Sequence, residues 1–234
     1  MKTPAATLFD FDGVIVDSER LHCETMAAAM GGDGPAFGWD FYRERLIGFD
    51  DRGSFALLLE RAGIEPTREE IGRRMARKAA LFAERAAAGG AAAFPGAVEL
   101  IRSCAAAGPV GLCSGALRGD VDPALGALGV AECFAEMVTA EDVERSKPDP
   151  ACYRLCVARL AERFPGAGIA PGTVVAIEDT VDGIAAALGA GIAVVGVGTH
   201  LPPERLRAAG ATAAVETLEG LTFGGLARLV GGRH

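Results

Sequence analysis

The 234-residue sequence lacks an excess of basic residues, because it has 23 Lys and Arg against 31 Asp and Glu, for a formal net charge of −8. A chain with this charge has no bulk attraction for a nucleic-acid backbone, so no nucleic-acid partner is expected. An anionic ligand must therefore be bound by local groups. Lysine is scarce, with three in the whole sequence, so each lysine is a candidate for a specific role.

The sequence also lacks a secretory leader pattern, a long apolar span and paired cysteines. The first residues, MKTPAATLFDFDG, carry one Lys and reach an acidic residue at position 10, which is unlike a signal peptide. The longest uncharged stretch, 183–203, contains five glycines and two prolines, so no membrane association is expected. The six cysteines form no CxxC pair, which predicts buried thiols in a reducing compartment. A cytoplasmic protein is expected.

What the sequence does contain is an alternation of short apolar runs with helical patterns. The apolar runs are brief, partly β-branched or aromatic, and end at polar residues or glycine, which predicts buried strands. The predicted strands are 7–9, 110–113, 174–177 and 193–197. The predicted helices between them are 95–107, 150–163 and 181–188. This alternation predicts an α/β fold with a Rossmann-like, doubly wound parallel sheet.

Residues 18–92 interrupt the alternation. They contain helical patterns and no convincing strand, with turn signals between the patterns. The predicted helices of this segment are 19–30, 53–62 and 67–88. The segment is therefore predicted to be a small helical insert after the first strand, so that the expected domains are 1–17 with 93–234, and 18–92.

The strongest chemical signal lies where the first predicted strand ends, in the sequence LFDFDG. Ligands of open parallel sheets bind beyond the carboxyl ends of the strands, so a carboxylate at Asp10 is placed to act as a nucleophile. Asp12 projects to the same side if the chain stays extended, and such a pair suits a nucleophile with a general acid/base. Gly13 permits the turn that follows. A polar strand exit that caps a turn is the alternative interpretation.

Two other strand ends carry polar groups. Ser114 and Gly115 offer a hydroxyl and a backbone amide, which suit a phosphoryl oxygen, although an ordinary Ser-Gly turn is the alternative. Glu178 and Asp179 follow the third predicted strand. Crowding these carboxylates near Asp10 would be costly unless a divalent cation offset the repulsion, so the sequence predicts a cation site.

Lysine and histidine side chains supply the remaining candidates. Lys147 lies in SKPDP just before a predicted helix, where its ammonium could pair with both Asp10 and a phosphate. Considered alone, Lys147 is equally a solvated loop lysine. Lys78 lies in an arginine-rich helical pattern and is interpreted as a solvated helix-face residue, and His200 is interpreted as a loop residue.

Taken together, the motifs DFDGVIVDSE, the strand end at Ser114, SKPDP and IEDTVDGIAAALGAG resemble the haloacid dehalogenase-like hydrolase superfamily in order and chemical character. The helical insert is similar to the small cap of that superfamily. The resemblance spans essentially the whole chain and is greatest to the β-phosphoglucomutase, phosphoglycolate phosphatase and sugar-phosphate phosphatase branches. It implies a Rossmann-like core and a cap that closes over small substrates.

The resemblance also implies a mechanism and a ligand set. Asp10 would attack phosphorus to form an aspartyl-phosphate, and Asp12 would protonate the leaving alkoxide and then activate water. Ser114 and Lys147 would hold the transferring group, and Lys147 would also orient Asp10. The implied Mg²⁺ ligands are the carboxylate of Asp10, the backbone carbonyl of Asp12, Glu178 and Asp179.

Within the family, the residues favour a phosphatase that acts on a small phosphorylated sugar or carboxylate. A dehalogenase needs no proton on its leaving group, so Asp12 argues against one. A phosphonatase needs a cap lysine, for which only Lys78 is available. A non-catalytic binding protein is a further alternative, although every expected catalytic position carries a competent residue. A monomer or weak homodimer is expected.

A phosphosugar mutase is the second choice. His22 matches the position of a histidine in β-phosphoglucomutases and is a candidate substrate contact, with a local hydrogen bond as the alternative. Against a mutase, Asp51 stands where an ungapped comparison expects a phosphate-binding arginine, and residues 115–118 lack a Lys-Asn pair. Arg52 and Arg118 are candidate contacts for a substrate anion, with surface ion pairs as the alternative.

Overall fold

The computed structural model describes residues 3–33, 37–47, 49–87 and 92–231. It divides into two compact units, Met1–Val16 with Ala93–His234 and, separately, Asp17–Ala92. The last residue of the predicted helix 67–88 lies outside the described residues. Each unit has its own buried core, so the two are described in turn.

The larger unit is built on a parallel sheet. The strands in chain order are β1 (Ala6–Phe9), β2 (Val16–Asp17), β3 (Ala92–Ala93), β4 (Val110–Cys113), β5 (Glu136–Val138), β6 (Val174–Glu178), β7 (Ala193–Val197) and β8 (Ala213–Val215). The two-residue strands β2 and β3 lie where the chain passes from one unit to the other. The remaining six form one sheet in the order β5-β4-β1-β6-β7-β8, and all its neighbours pair in parallel.

Helices connect these strands and cover the sheet. They are α5 (Ala97–Ala105), α6 (Arg118–Ala127), α7 (Ala151–Arg163), α8 (Val181–Gly189), α9 (Pro203–Ala208) and α10 (Phe223–Gly231). All residues of β1 and β6 are buried, as expected for parallel strands that are covered on both faces. Leu8 and Ala176 join one core cluster together with Tyr153 and Leu160 of α7. The predicted Rossmann-like α/β core is confirmed.

The central strands agree with the sequence prediction, and the outer ones do not. The strands β4 and β7 have the predicted bounds, and β1 and β6 differ from prediction by one residue each. The edge strands β5 and β8 were not predicted, because each has three residues and is only partly buried. Such short segments have no apolar run long enough to show a period.

The smaller unit is helical in the described residues. Its helices are α1 (Glu19–Met30), α2 (Trp39–Arg45), α3 (Asp51–Arg61) and α4 (Arg68–Ala87). Asp50 caps α3, since its carboxylate accepts a hydrogen bond from Gly53 N at 2.7 Å. The core contains Met26 and Met30 of α1 with Phe55 and Leu58 of α3. The predicted helical nature of this segment is confirmed, whereas α2 was not predicted.

The burial of the cysteines agrees with a further expectation. All six cysteines are free thiols, and five of them are buried while Cys133 is partly exposed. Among the described residues, no helix has both the length and the apolar character needed to cross a membrane.

Gly111 of β4 tests how tightly the larger core is packed. A Cβ added at Gly111 would lie 2.5 Å from Cys156 Sγ and 2.7 Å from Leu8 Cδ2, so Gly111→Ala should be destabilising by about 1–3 kcal/mol through overpacking. The midpoint of thermal unfolding should then fall by roughly 2–4 °C per kcal/mol.

Gly126→Ala is the matched control. Nothing lies within 4 Å of an added Cβ at Gly126, which is exposed on α6. The same substitution there should be stabilising by roughly 0.5–1 kcal/mol, because alanine is the better helix former. Equal midpoints for the two variants would contradict the tight packing inferred at Gly111.

Candidate active site

Two neighbouring strands, β1 and β6, bring acidic residues to one edge of the sheet. Phe9 of β1 is in register with Leu112 of β4 and with Ile177 of β6. The next residues along the strands, Asp10 and Glu178, therefore lie side by side at the carboxyl edge. The backbone N–H of Asp10 donates to the Ile177 carbonyl at 3.1 Å, which extends the pairing by one residue, to the candidate nucleophile.

Lys147 joins this cluster from the segment before α7. Its Nζ donates to Asp10 Oδ1 at 2.7 Å, to Glu178 Oε1 at 2.6 Å and to the Cys113 carbonyl at 2.9 Å. An ammonium has three protons, so these bonds account for all of its donors. The solvated-loop alternative for Lys147 is wrong, because the side chain is 13% exposed and paired with two carboxylates.

The pKa values in this cluster are strongly displaced. Burial raises the pKa of Asp10 well above its usual value, and the charge of Glu178 raises it further, while Lys147 acts in the opposite direction. Burial alone would lower the pKa of Lys147, but Asp10 and Glu178 together raise it well above normal. The ammonium is therefore firmly charged, and the carboxyl of Asp10 needs positive charge to stay ionised.

The carboxylates are arranged as a cation would require. Within the described parts of the chain, Asp10, Glu178 and Asp179 form a set whose ligand oxygens all lie within 4.8 Å of one another. With all groups ionised, three carboxylates and the one ammonium of Lys147 leave a local charge of −2. A set of hard oxygen donors suits Mg²⁺ or a similar divalent ion. The acidic cluster is thus compatible with metal binding.

Two glycines permit this crowding. Gly13 has φ +80°, and a Cβ there would lie 2.0 Å from Asp179 Oδ2. A Cβ at Gly183, in the first turn of α8, would lie 1.9 Å from Glu178 Oε2. The backbone therefore approaches both carboxylates more closely than any other residue type would allow.

The other predicted residues of the larger unit lie in the loops that leave β1 and β4. Asp12 is partly exposed, in a turn closed by the hydrogen bond from Ile15 N to the Phe11 carbonyl at 2.8 Å. Ser114 is buried, and its Oγ accepts from Ala116 N at 2.9 Å. Gly115 is exposed, with open space around it.

Arg118 lies further along the loop, at the start of α6. Its guanidinium donates to the Met137 carbonyl at 3.0 Å and lies 3.7 Å from Asp122 and 3.9 Å from Asp142. Its backbone N–H also donates to Glu141 at 3.0 Å. Arg118 therefore forms the surface ion pairs of the alternative interpretation. Its contacts connect α6 to β5 and to the residues that follow β5.

The candidates in the smaller unit are arranged around a buried lysine. Lys78 Nζ donates to Asp51 Oδ1 at 2.5 Å and to His22 Nδ1 at 2.8 Å, and the His22 ring stacks on Phe82. The expectation that Lys78 is solvated is wrong, because it is 4% exposed. Arg52, beside Asp51 on α3, is exposed.

Two residues near the acidic cluster were missed by the sequence reasoning. The fully buried Tyr153 donates its hydroxyl proton to Glu178 Oε1 at 2.6 Å. Burial and the neighbouring Glu178 charge raise the Tyr153 pKa well above normal, so the hydroxyl remains a donor. His200 was interpreted as a plain loop residue, but its Nδ1 lies 2.8 Å from Asp179 Oδ2. The available signal was that His200 follows β7, at the same edge of the sheet.

Known proteins share both the sequence pattern and the fold. Residues 4–191 match the family described as haloacid dehalogenase-like hydrolase. The phosphorylated carbohydrates phosphatase of Thermotoga maritima is 30% identical over 191 residues, which are 80% of this chain and 82% of that protein. Hexitol phosphatase B of Escherichia coli K12 is 29% identical over 195 residues, which are 80% and 81% of the two chains. The crystal structure of CbbY from Rhodobacter sphaeroides in complex with phosphate is 26% identical, with a TM-score of 0.79 over 93% of this chain and 96% of that chain.

The fold and the site define an α/β enzyme with an acidic cluster and a largely buried lysine at the carboxyl edge of a parallel sheet. Proteins of this class catalyse many different reactions, so the fold alone does not identify the reaction. Membership of a family narrows the choice. The chain belongs to the haloacid dehalogenase-like hydrolase family. The predicted enzyme class, a phosphatase of that family, is thereby confirmed.

Asp10→Asn should raise the thermal midpoint of the metal-free protein at neutral and alkaline pH. The folded state raises the pKa of Asp10, so the wild type loses stability as pH rises through that value, and Asn removes the loss. The gain should be larger at about pH 8 than at about pH 3, where the wild-type carboxyl is protonated in both states. The difference in thermal midpoint between Asp10→Asn and the wild type is measured by thermal unfolding with a chelator present.

The exposed Asp40→Asn is the matched control and should leave the midpoint unchanged at both pH values, since Asp40 is 86% exposed. A lower midpoint for Asp10→Asn at alkaline pH would show that the Lys147 ion pair outweighs burial and repulsion.

Proposed function

We propose that the protein hydrolyses small phosphate monoesters, phosphorylated sugars or carboxylates, through an aspartyl-phosphate on Asp10 with Mg²⁺ as cofactor. One observation carries the proposal. Asp10 lies in an acidic set at the carboxyl edge of the sheet while Lys147 holds it by a 2.7 Å ion pair. A carboxylate nucleophile with a fixed ammonium and a cation site is suited to phosphoryl transfer, because that reaction needs positioning and charge compensation.

The substrate class is supported by the relatives. One is named for phosphorylated carbohydrates and another for hexitols, and both act as phosphatases by name. We propose a small, soluble phosphorylated metabolite for this chain as well. Its net charge of −8 fits that choice better than a polyanionic partner, since one lysine, Lys147, supplies positive charge in the cluster itself.

The carboxylates of Asp10, Glu178 and Asp179, with the backbone carbonyl of Asp12, are the residues that would hold the cation. Their fit rests on the oxygen donor set and on the close backbone approach that Gly13 allows to Asp179. A divalent ion bound there supplies the positive charge that keeps Asp10 ionised and offsets negative charge on the phosphoryl oxygens.

In the first displacement, an Asp10 carboxylate oxygen attacks phosphorus and the bond from phosphorus to the leaving oxygen breaks. The leaving oxygen takes the proton of the Asp12 carboxyl and departs as an alcohol. Asp12 is partly exposed while Asp10 is buried, so Asp12 can exchange its proton with water and Asp10 is shielded from competing reactions.

In the second displacement, the Asp12 carboxylate removes a proton from a water molecule whose oxygen attacks phosphorus. The bond between phosphorus and the Asp10 oxygen breaks, and inorganic phosphate leaves. Asp10 is released as a carboxylate and Asp12 is protonated again, so the site returns to its starting state. Two positioned carboxylates thus divide one difficult hydrolysis into two easier transfers.

Lys147, Ser114 and Gly115 would hold the transferred group. The Ser114 hydroxyl and the Gly115 amide follow β4, beside the strand that ends at Asp10. Lys147 already donates all three of its protons, so a phosphate contact requires one of them to be redirected. The bond to the Cys113 carbonyl is the longest at 2.9 Å, and it is the one we expect to yield.

Residues 18–92 are proposed as the cap domain and residues 1–17 with 93–234 as the catalytic core. His22 and Arg52 of the cap, with Arg118 of the core, are the proposed substrate contacts outside the reacting centre. Each differs in environment: His22 accepts a hydrogen bond from a buried lysine, Arg52 is exposed, and Arg118 is already paired. Arg52 is therefore the candidate that a substrate anion would engage at least cost.

The first test is release of inorganic phosphate. With Mg²⁺ the protein should hydrolyse a generic aryl phosphate and, more efficiently, one or more phosphorylated sugars or carboxylates from a metabolite panel. A chelator or Asp10→Asn should reduce the rate to background. The chelator removes the cation that keeps Asp10 ionised, and the substitution removes the carboxylate nucleophile itself. Asp40→Asn should keep wild-type activity, since Asp40 is exposed on α2.

The outcomes separate the alternatives. No activity across the panel would contradict the proposal and favour a binding protein on the same fold. With β-glucose 1-phosphate, a phosphatase yields glucose and phosphate, whereas a mutase yields the isomeric sugar phosphate.

Asp12→Ala tests the proton transfers. The variant should form a phosphoenzyme slowly and hydrolyse it slowly, with kcat lowered by about 10²–10⁴-fold as for the loss of a general acid/base. Rapid-quench measurement of the two steps, with Asp10→Asn as the variant that forms no phosphoenzyme, checks the assignment. Normal turnover of Asp12→Ala would refute the acid/base role.

A further inference from the structure

His200 lies against one of the carboxylates assigned to the cation. It follows β7 by three residues, and its Nδ1 lies 2.8 Å from Asp179 Oδ2. An ionised carboxylate only accepts hydrogen bonds, so His200 Nδ1 is the donor. The Phe94 and His200 rings pack in a T-shaped arrangement, with centroids 6.1 Å apart and an interplanar angle of 84°. Contacts on two sides thus fix the orientation of the imidazole.

The neighbouring Thr199 donates its hydroxyl proton to a different partner. Its Oγ1 lies 2.7 Å from the Gly13 carbonyl and 3.4 Å from Asp179 Oδ2. A hydroxyl has one proton to donate, and the shorter distance assigns it to Gly13. Thr199 therefore links the loop after β7 to the loop after β1, which leaves His200 as the close donor of this loop to Asp179.

Gly13 blocks Asp179 from another direction. A Cβ at Gly13 would lie 2.0 Å from Asp179 Oδ2, so the backbone of this turn already stands against that oxygen. The Asp179 side chain is 1% exposed. A buried carboxylate that accepts a hydrogen bond on one side and contacts main-chain atoms on another has little freedom to rotate.

We propose that His200 is a positioning residue for Asp179, and that its hydrogen bond to Oδ2 presents Oδ1 of the same carboxylate to the cation. The inference rests on the proposed function, since it needs a cation at this site. Groups that hydrogen-bond to metal ligands orient them, and their loss commonly costs about 10–100-fold in metal affinity or activity. His200 acts through Asp179 and not on the substrate.

A pair of polar substitutions isolates this hydrogen bond. In His200→Asn the amide nitrogen is as many bonds from Cβ as Nδ1 is in histidine, so the donor to Asp179 is kept. In His200→Gln the amide nitrogen corresponds to Nε2, so that donor is lost while size and polarity are similar. Glu204→Gln, exposed on α9, is the control for a change in the neighbouring segment.

The readout is Mn²⁺ binding to the chelator-stripped, full-length protein without substrate, followed by the electron paramagnetic resonance signal of free Mn²⁺. His200→Gln should raise the dissociation constant about 10–100-fold, and His200→Asn should stay within about threefold of the wild type. Glu204→Gln should match the wild type. Both variants should remain folded in chelator, with the lower thermal midpoint for His200→Gln, because Gln removes a hydrogen-bond donor to the buried Asp179 carboxylate.

Three results are distinguishable. If the wild type does not bind Mn²⁺, the cation site of the proposed function is wrong and this inference falls with it. If the wild type and His200→Gln bind Mn²⁺ equally well, His200 has no positioning role while the proposed function stands. If the Asn and Gln variants weaken binding equally, the histidine acts through its ring packing on Phe94 and not through the donor to Asp179, which also overturns the inference.

Discussion

One largely buried ammonium, that of Lys147, is shared by two buried carboxylates, and the site depends on this sharing. Nζ lies 2.7 Å from Asp10 and 2.6 Å from Glu178, while Asp179 adds a third negative charge nearby. Removing charged groups from water costs several kcal/mol each, which a single ion pair repays poorly. Such a cluster is a weak source of stability. The cluster lies at the carboxyl edge of the sheet, where ligands of this fold class bind. This location indicates a role in ligand binding and catalysis and not in stability.

The same charges shape the backbone around them. The third proton of Lys147 goes to the Cys113 carbonyl, so the ammonium also joins β4 to the cluster. Gly13 and Gly183 allow main chain to approach Asp179 and Glu178 to distances that a Cβ would forbid. These contacts come from segments far apart in sequence, and the parallel register of β1, β4 and β6 brings them together. The sheet is therefore a positioning device as well as a core.

How much of this could be predicted from sequence depends on where a residue sits. Apolar runs predict β4 and β7 correctly, because both faces of a central parallel strand are buried and its residues are therefore apolar. The edge strand β8, with the sequence AAV, lacks β-branched residues except at its end, and α2 has only seven residues; both are too short for a period to show. Candidate site residues at a strand end were predictable in position, since the topology alone places Asp10, Glu178 and Asp179 at one edge.

Buried polar residues whose partners are remote in sequence were not predictable in the same way. The pattern around Lys78 is charged and indicates solvent, but its partners Asp51 and His22 lie 27 and 56 positions away. Composition held a signal that the local pattern did not. The chain has 20 arginines and three lysines, and both lysines that the structure describes lie beside carboxylates, Lys78 buried and Lys147 largely buried. An ammonium is compact and directs three protons from one atom, whereas a guanidinium is wide and planar. Where arginine carries most of the positive charge, a lysine marks a position that needs a small, buried cation, and Lys78 in the helical unit meets that description as fully as Lys147 does in the core.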